Sequence, residues 1–184
     1  MITYISLLRG INIGGHKKIK MDSLRENFSS LGYTNIKTYI QSGNILFCSK
    51  KEDKTKLEKE ISSMIMDKYG FDVPVLVLNT NDLNDVITNN PFANSINHNK
   101  EFIHITFLSN EAKEINFKEI DCKKESEDEY KIINKAIYLY LPKGYGNTKI
   151  HNNFFEKLLK TQATTRNWKT CIELFEMSKQ ITSH

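Results

Sequence analysis

Two stretches of this 184-residue chain run through the same order of apolar patterns, and that repetition limits the folds open to it more than any single motif does. In the first, Ile2–Leu8 reads as a strand. Met21, Leu24, Phe28 and Leu31, spaced by three, four and three, mark one face of a helix that Gly32 ends. Ser23 with Glu26 offers a capping box near its start. Residues 36–40 and 45–48 flank Gln41-Ser42-Gly43-Asn44, a hairpin signal. Leu57, Ile61, Met64 and Ile65 give a second helix between Asp53 and Gly70, and residues 73–78 a fourth strand whose Pro74 suits a sheet edge. The order is βαββαβ.

After a helix over 81–88, with Thr80 as its N-cap, the order returns. Residues 101–108 read as a strand and 111–117 as a short helix, and strands at 130–134 and 136–141 meet around Asn134-Lys135. Phe154, Phe155, Leu158 and Leu159 share a helix face, and 162–165 supplies a short last strand. Asn167 then caps a terminal helix carrying Trp168, Cys171, Ile172 and Phe175. Units of about 80 to 90 residues predict two small α+β modules with antiparallel sheets, 1–79 and 80–184, the second with an added C-terminal helix. No residue-level repeat accompanies the repeated order.

Composition narrows the function classes. With 26 Lys plus Arg against 22 Asp plus Glu, the net charge of +4 is too weak a bias to mark a nucleic-acid binder. Hydrophobic residues at 39% and charged residues at 26% suit a globular core. The longest apolar run, residues 136–141, falls far short of the ~20 residues of a membrane helix, and Met1-Ile2-Thr3-Tyr4 lacks a signal peptide's charged start. A cytoplasmic protein without membrane partners is expected. Cys48, Cys122 and Cys171 are odd in number and widely spaced, which predicts reduced thiols and no zinc or redox pair. The five histidines, 16, 98, 104, 151 and 184, form no metal spacing, no nucleophile elbow is present, and no cofactor fingerprint appears. The charged runs at 51–59 and 125–129 read as solvated surface.

In a split βαβ module the first and second strands are parallel and separated by the third, so the loop after the first and the turn after the second leave one sheet end. Residues 9–20 and Gln41–Asn44 should be neighbours. The loop reads Arg9-Gly10-Ile11-Asn12-Ile13-Gly14-Gly15-His16-Lys17-Lys18-Ile19-Lys20. Its glycine amides, its helix-start dipole and the planar fork of Arg9 suit an anion. A Gly-rich turn with solvated lysines fits the same residues. His16-Lys17 stands where a phosphate-binding G-x-x-x-x-G-K-[ST] loop needs Lys and a hydroxyl, so this is no nucleotide fingerprint. Gln41, Ser42 and Asn44 fit either a plain turn or a ligand-orienting one. By the same topology residues 142–149, with Lys149, should converge on Ala163-Thr164-Thr165-Arg166-Asn167-Trp168. There Asn167 has a ready use as a cap and Trp168 as packing. Arg166, one of only three arginines against 23 lysines, reads as an anchor for a ligand or between the modules.

Taken together, Leu7-Leu8-Arg9-Gly10-Ile11-Asn12-Ile13-Gly14-Gly15, Tyr39-Ile40-Gln41-Ser42-Gly43-Asn44, Asn90-Pro91-Phe92 and Ala163-Thr164-Thr165-Arg166-Asn167-Trp168 closely resemble the bacterial family called domain of unknown function 1697. The resemblance runs from the first strand to the terminal helix. It implies a pair of ferredoxin-like α/β plaits, which agrees with the repeated order, and implies no reaction. Arg9, Asn12, Gly14, Gly15, Lys20, Gln41, Ser42, Gly43 and Asn44 match its first-module motifs, and Lys149, Thr164, Thr165, Arg166, Asn167 and Trp168 its second. Cys171 stands where the pattern has a small apolar residue, which fits packing.

Three readings suit these residues. The first is a binding protein for a small anionic or nucleotide-like ligand held by Arg9, Asn12, the Gly14-Gly15 amides, Lys20, Gln41, Ser42 and Asn44, with Lys149, Arg166, Asn167 and Trp168 as further candidates. The second is a single-stranded nucleic-acid binder stacking bases on Tyr39, Tyr138 or Tyr140 of an exposed sheet. The third is an enzyme of unknown reaction.

Overall fold

The computed structural model describes residues 1–181. It is a mixed α+β chain with two four-stranded antiparallel sheets and six α-helices. By contacts it divides into two units: Met1–Asp85 with the chain from Glu173, and Val86–Ile172. The terminal helix therefore begins in the second unit and ends in the first, and the helix over Thr80–Thr88 crosses the same division in the opposite sense. His184 lies outside the described residues.

The first unit runs β1 (Ile2–Leu8), α1 (Met21–Ser30), β2 (Thr34–Tyr39), β3 (Asn44–Ser49), α2 (Lys54–Tyr69) and β4 (Val75–Asn79), with strand order β2-β3-β1-β4. Strands β1 and β2 both pair antiparallel with β3, so they run the same way with β3 between them. The predicted helix faces meet the sheet: Leu24 and Phe28 of α1 and Leu57, Ile61 and Ile65 of α2 pack on Tyr4, Leu8, Ile45, Phe47, Val75 and Val77. Tyr33 stacks on Phe47 at 4.5 Å. Gly70 closes α2 at φ 76, where its amide reaches the Met66 carbonyl.

The second unit repeats the plan with β5 (Ile103–Leu108), α4 (Phe117–Lys123), β6 (Glu129–Ile133), β7 (Ala136–Tyr140), α5 (Asn152–Leu159) and β8 (Ala163–Asn167), in strand order β6-β7-β5-β8. Its core joins Ile120, Phe155 and Leu159 to Leu108, Ile137, Leu139 and Ala163. Helices α3 (Thr80–Thr88) and α6 (Trp168–Gln180) complete the chain.

Several helix starts differ from the sequence reading, each for a local reason. Helix α1 begins directly after Lys20, with no side-chain cap bond, instead of at a Ser23–Glu26 box. The chain is delivered into it by a bond between the Ile19 amide and Asn12 Oδ1 at 2.8 Å. Asn79, not Thr80, caps α3: the Asp82 amide donates to Asn79 Oδ1 and the Asn79 amide donates to Asp82 Oδ2, both at 2.8 Å. Residues 111–116 are not helical. The Ser109 amide donates to the Gln162 carbonyl and the Asn110 amide to Thr161 Oγ1, which ties the chain to the segment before β8, and the next helix starts only where Asn116 caps α4. A 3-10 turn, Lys100–Phe102, precedes β5, and β8 runs two residues past the expected end to pair Asn167 with His104.

Both outer strands on the β4 and β8 side receive a carboxylate from the helix before them. The Val77 amide donates to Glu58 Oε1 of α2 and the Ala163 amide to Glu156 Oε1 of α5, each at 2.9 Å. Among the described residues no helix is long and apolar enough to cross a membrane. All three cysteines are free, Cys48 and Cys171 buried and Cys122 exposed.

Candidate functional site

The 9–20 loop and the β2–β3 turn share one end of the first sheet, as the parallel arrangement of β1 and β2 requires. The Leu8 amide donates to the Gly43 carbonyl at 2.7 Å and the Arg9 amide to the Pro74 carbonyl at 3.0 Å, so turn, loop and β4 start are laced together. Gly43 is dictated here. Its φ is 77, and a Cβ would lie 2.7 Å from Leu8 Cβ and 2.9 Å from the Leu8 carbonyl oxygen.

Asn12 organises the loop. Its φ of 56 suits Asn, Asp or Gly. Its Nδ2 donates to the Ile19 carbonyl at 3.0 Å and the Gln41 carbonyl at 2.9 Å, and its Oδ1 accepts from the Ile19 amide. One side chain thus closes the loop and ties it to the turn. Within it Ile13 and His16 form an isolated bridge around Gly14 and Gly15, both at positive φ, the geometry of a two-residue hairpin turn. Lys17 lies outside the cleft, donating to the Asp72 carbonyl with its ammonium 5.9 Å from the Phe71 ring centroid.

The result is an open cleft of about 630 Å³ lined by Asn12, Gly15, Lys18, Ile19, Lys20, Met21, Asp22 and Gln41. Lys18, Lys20 and Gln41 are exposed, Ile19 is buried and Met21 half-buried. Helix α1 starts at this cleft, with Lys20 as its N-cap residue and no side-chain cap bond. Asp22 lines the cleft while its carboxylate pairs with Arg25, whose Nη1 also donates to Thr38 Oγ1 at 2.7 Å.

The sequence candidates therefore take different places. Gly15, Lys20 and Gln41 line the cleft. Arg9 is half-buried at the root of the loop, Gly14 is at the turn, and Asn12 lines the cleft with its side chain engaged in framework bonds. Ser42 and Asn44 serve the turn: buried Asn44 donates to Ser42 Oγ at 3.0 Å and to the Tyr39 carbonyl at 3.3 Å. Sequence reasoning did not single out Lys18, Ile19, Met21 and Asp22. The available signal was their position around Lys20, where the chain turns from loop to helix at Met21.

In the second unit residues 142–149 do converge on β8, through hydroxyls. Tyr145 OH donates to Thr165 Oγ1 at 3.2 Å and accepts from the Asn152 amide at 3.1 Å, while Thr165 Oγ1 donates to Asn152 Oδ1 at 2.6 Å and lies 2.6 Å from Thr106 Oγ1. His104 stacks on Tyr145 at 5.3 Å with Nδ1 3.2 Å from the Phe102 carbonyl, and burial holds its pKa below the usual imidazole range. Lys149 pairs instead with Glu125 at 2.8 Å, which raises the lysine and lowers the carboxylate. Arg166 Nη1 donates to the Thr165 carbonyl at 2.9 Å, and burial pushes its guanidinium down to about 10, still charged at neutral pH. Burial pushes the Cys171 thiol up to about 12 against the opposing pull of Arg166, so it is a protonated packing residue. Asn167 caps α6, accepting from the Thr170 amide at 2.8 Å, and Trp168 is buried. Of the rings considered for base stacking, Tyr138 is buried with its hydroxyl on the Val86 carbonyl at 2.9 Å. Tyr140 is packed edge-on against His98 at 4.3 Å, and Tyr39 is half-buried.

Among the described residues no cluster of three or more His, Cys, Asp or Glu side chains is placed to hold a metal. A search of curated proteins finds no match. A solved structure of a conserved bacterial protein from Streptococcus pneumoniae is similar in fold, with a TM-score of 0.69 at 23% identity, covering 96% of this chain and 98% of that one. The family model described as a protein of unknown function, DUF1697, matches residues 1–138, which hold the loop, the turn and the Asn90-Pro91-Phe92 segment; on that match the chain belongs to the DUF1697 family.

Proposed function

We propose that this is a cytoplasmic protein built of two ferredoxin-like plaits, and that it binds a small anionic or nucleotide-like ligand at the loop end of the first. The observation that carries the reading is the open cleft in which Lys18, Lys20, the Gly15 backbone and Gln41 face one space beside the start of α1. Two ammonium groups and backbone amides form a surface on which an anion loses little by leaving water. Arg9 stands half-buried at the root of the loop, and Asn12 holds the loop in shape through its framework bonds. The strand order, with β1 and β2 parallel across β3 and β5 and β6 parallel across β7, supports the plait assignment. The candidates of the second unit do not enter the reading, because their side chains hold that unit's own loops and helix.

The test is titration of wild type and a Lys18→Ala/Lys20→Ala variant with inorganic phosphate, pyrophosphate, AMP and ATP, measured by calorimetry and by ligand-dependent melting. Wild type should melt higher with at least one of them. The double variant should bind it about tenfold to a hundredfold more weakly, the loss of charge-assisted contacts. A wild-type melt unmoved across the whole panel would sink the proposal.

A further inference from the structure

Two isoleucines stand exposed at this sheet end, Ile13 at 65% and Ile40 at 54%. Each is the chain neighbour of a cleft-lining residue, Asn12 and Gln41, and the bond from Asn12 Nδ2 to the Gln41 carbonyl ties the two turns together. Ile40 also sits at φ 50, a conformation that β-branched residues avoid and that Gly or Asn adopts readily. Folding alone would favour Gly or Asn there on both counts, since either relieves the backbone and removes an exposed aliphatic side chain. Backbone strain at an exposed apolar residue is an outlier from which a functional contact is inferred.

Resting on the anion-binding reading, we infer that the anion is the head of an aliphatic molecule, such as an alkyl or acyl phosphate, whose body packs on Ile13 and Ile40. The chemistry of the cleft fits this body better than a nucleobase. Ile13 and Ile40 flank the cleft, and the apolar lining of the cleft itself is half-buried Met21, buried Ile19 and the methylene stems of Lys18 and Lys20, all of them aliphatic. Base recognition draws on ring stacking, which none of these side chains supplies. Lys18 and Lys20 would take the head group and the two isoleucines the chain, so affinity would divide between charge and apolar burial.

The experiment compares inorganic phosphate, hexyl phosphate and AMP as ligands of wild type, Ile13→Asn and Ile40→Asn. Wild type should bind hexyl phosphate about tenfold or more tighter than inorganic phosphate, the effect of burying several methylenes. That ratio should shrink about fivefold in each variant, as one contact is lost. Ile40→Asn should melt no lower than wild type, because the substitution removes strain. Equal binding of hexyl phosphate and inorganic phosphate, tighter binding of AMP than of hexyl phosphate, or a ratio unchanged in both variants would each overturn the aliphatic inference and leave anion binding standing. Binding of none of the three would remove both together. Ile13, whose φ is not positive, keeps the test decisive should Ile40→Asn fail to fold.

Discussion

The two sheets are laced alike at their loop ends, and at the first of them the attached loop frames an open cleft. Leu8 donates to Gly43 and Arg9 to Pro74 in one unit; Leu108 donates to Lys135, at 2.8 Å, and Ser109 to Gln162, at 3.0 Å, in the other. Beyond those paired bonds the chains diverge. The first spends residues 9–20 on a loop rich in Lys and Arg that Asn12 closes upon itself, whereas the second crosses 109–116, with Glu111, Lys113 and Glu114, tied down by the buried Thr161 hydroxyl. The second unit centres its polar network on Thr165, midway along β8 and opposite Thr106. A ladder of backbone bonds is indifferent to the loop attached to it, so two sheets of like strand order carry an open basic loop in one unit and a tied-down connection in the other.

The largest expected break in this comparison is Gly43→Ala. The new Cβ would overlap Leu8 in a left-handed backbone, and unfolding in denaturant should show a loss of about 3 kcal/mol. Its counterpart Lys135→Ala, on an exposed side chain, should change stability by less than about 0.5 kcal/mol. A neutral Gly43→Ala would mean that the two turns are not distinguished by close approach.

Next come the two hydrogen-bonding centres. Asn12→Ala removes three side-chain bonds and Thr165→Val strands Tyr145 and Asn152, and each should cost about 2 kcal/mol. They separate by ligand: Asn12→Ala should also weaken phosphate binding in calorimetry, and Thr165→Val should leave it as it is. Equal effects on binding would erase the functional distinction between the units.

A smaller effect concerns pH. Burial lowers the His104 pKa, so the unfolded chain takes up a proton before the folded one does. Its contribution is complete above the unfolded value of about 6.5 and is lost as pH falls through the depressed folded value. His104→Phe, which keeps a ring against Tyr145, should flatten that acid limb in melts recorded from about pH 7.5 to about pH 5, and an unaltered limb would assign it elsewhere. Smallest of all, Lys149→Ala breaks only a solvent-exposed pair with Glu125 and should leave the melting temperature unchanged.

Much of this architecture was legible in spacing. Leu24 with Phe28, and Leu57 with Ile61 and Ile65, placed helices on a sheet because their period is local. Asn134-Lys135 marked its turn because two residues decide it. The helix starts were harder, since Asn79, Asn116 and Lys20 compete with Ser23 and Thr80 as plausible first residues, and the winner is chosen by bonds from neighbouring segments such as the one Asn12 makes to Ile19. At the site the adjacency of loop and turn followed from strand order, but the roles did not. Asn12 bonds to residues seven and 29 positions away, and Gly43 is fixed by contact with Leu8 across the sheet. Polar side chains that looked poised for a ligand were in several cases serving their own backbone, and only coordinates distinguish those two uses.

Glu58 and Glu156 bear on the life of the chain before and after it is folded. The outermost strand of a sheet offers a row of amides to any extended segment that drifts past, another copy of the same chain included. A carboxylate reaching over from the preceding helix occupies one of those amides and sets a negative charge on the rim. It appears once in each unit, on β4 and on β8, with Pro74 withholding a further donor at the entrance to β4. An incoming strand must displace an ion from its hydrogen bond before it can zip, so both rims discourage growth into fibres during synthesis or heat stress.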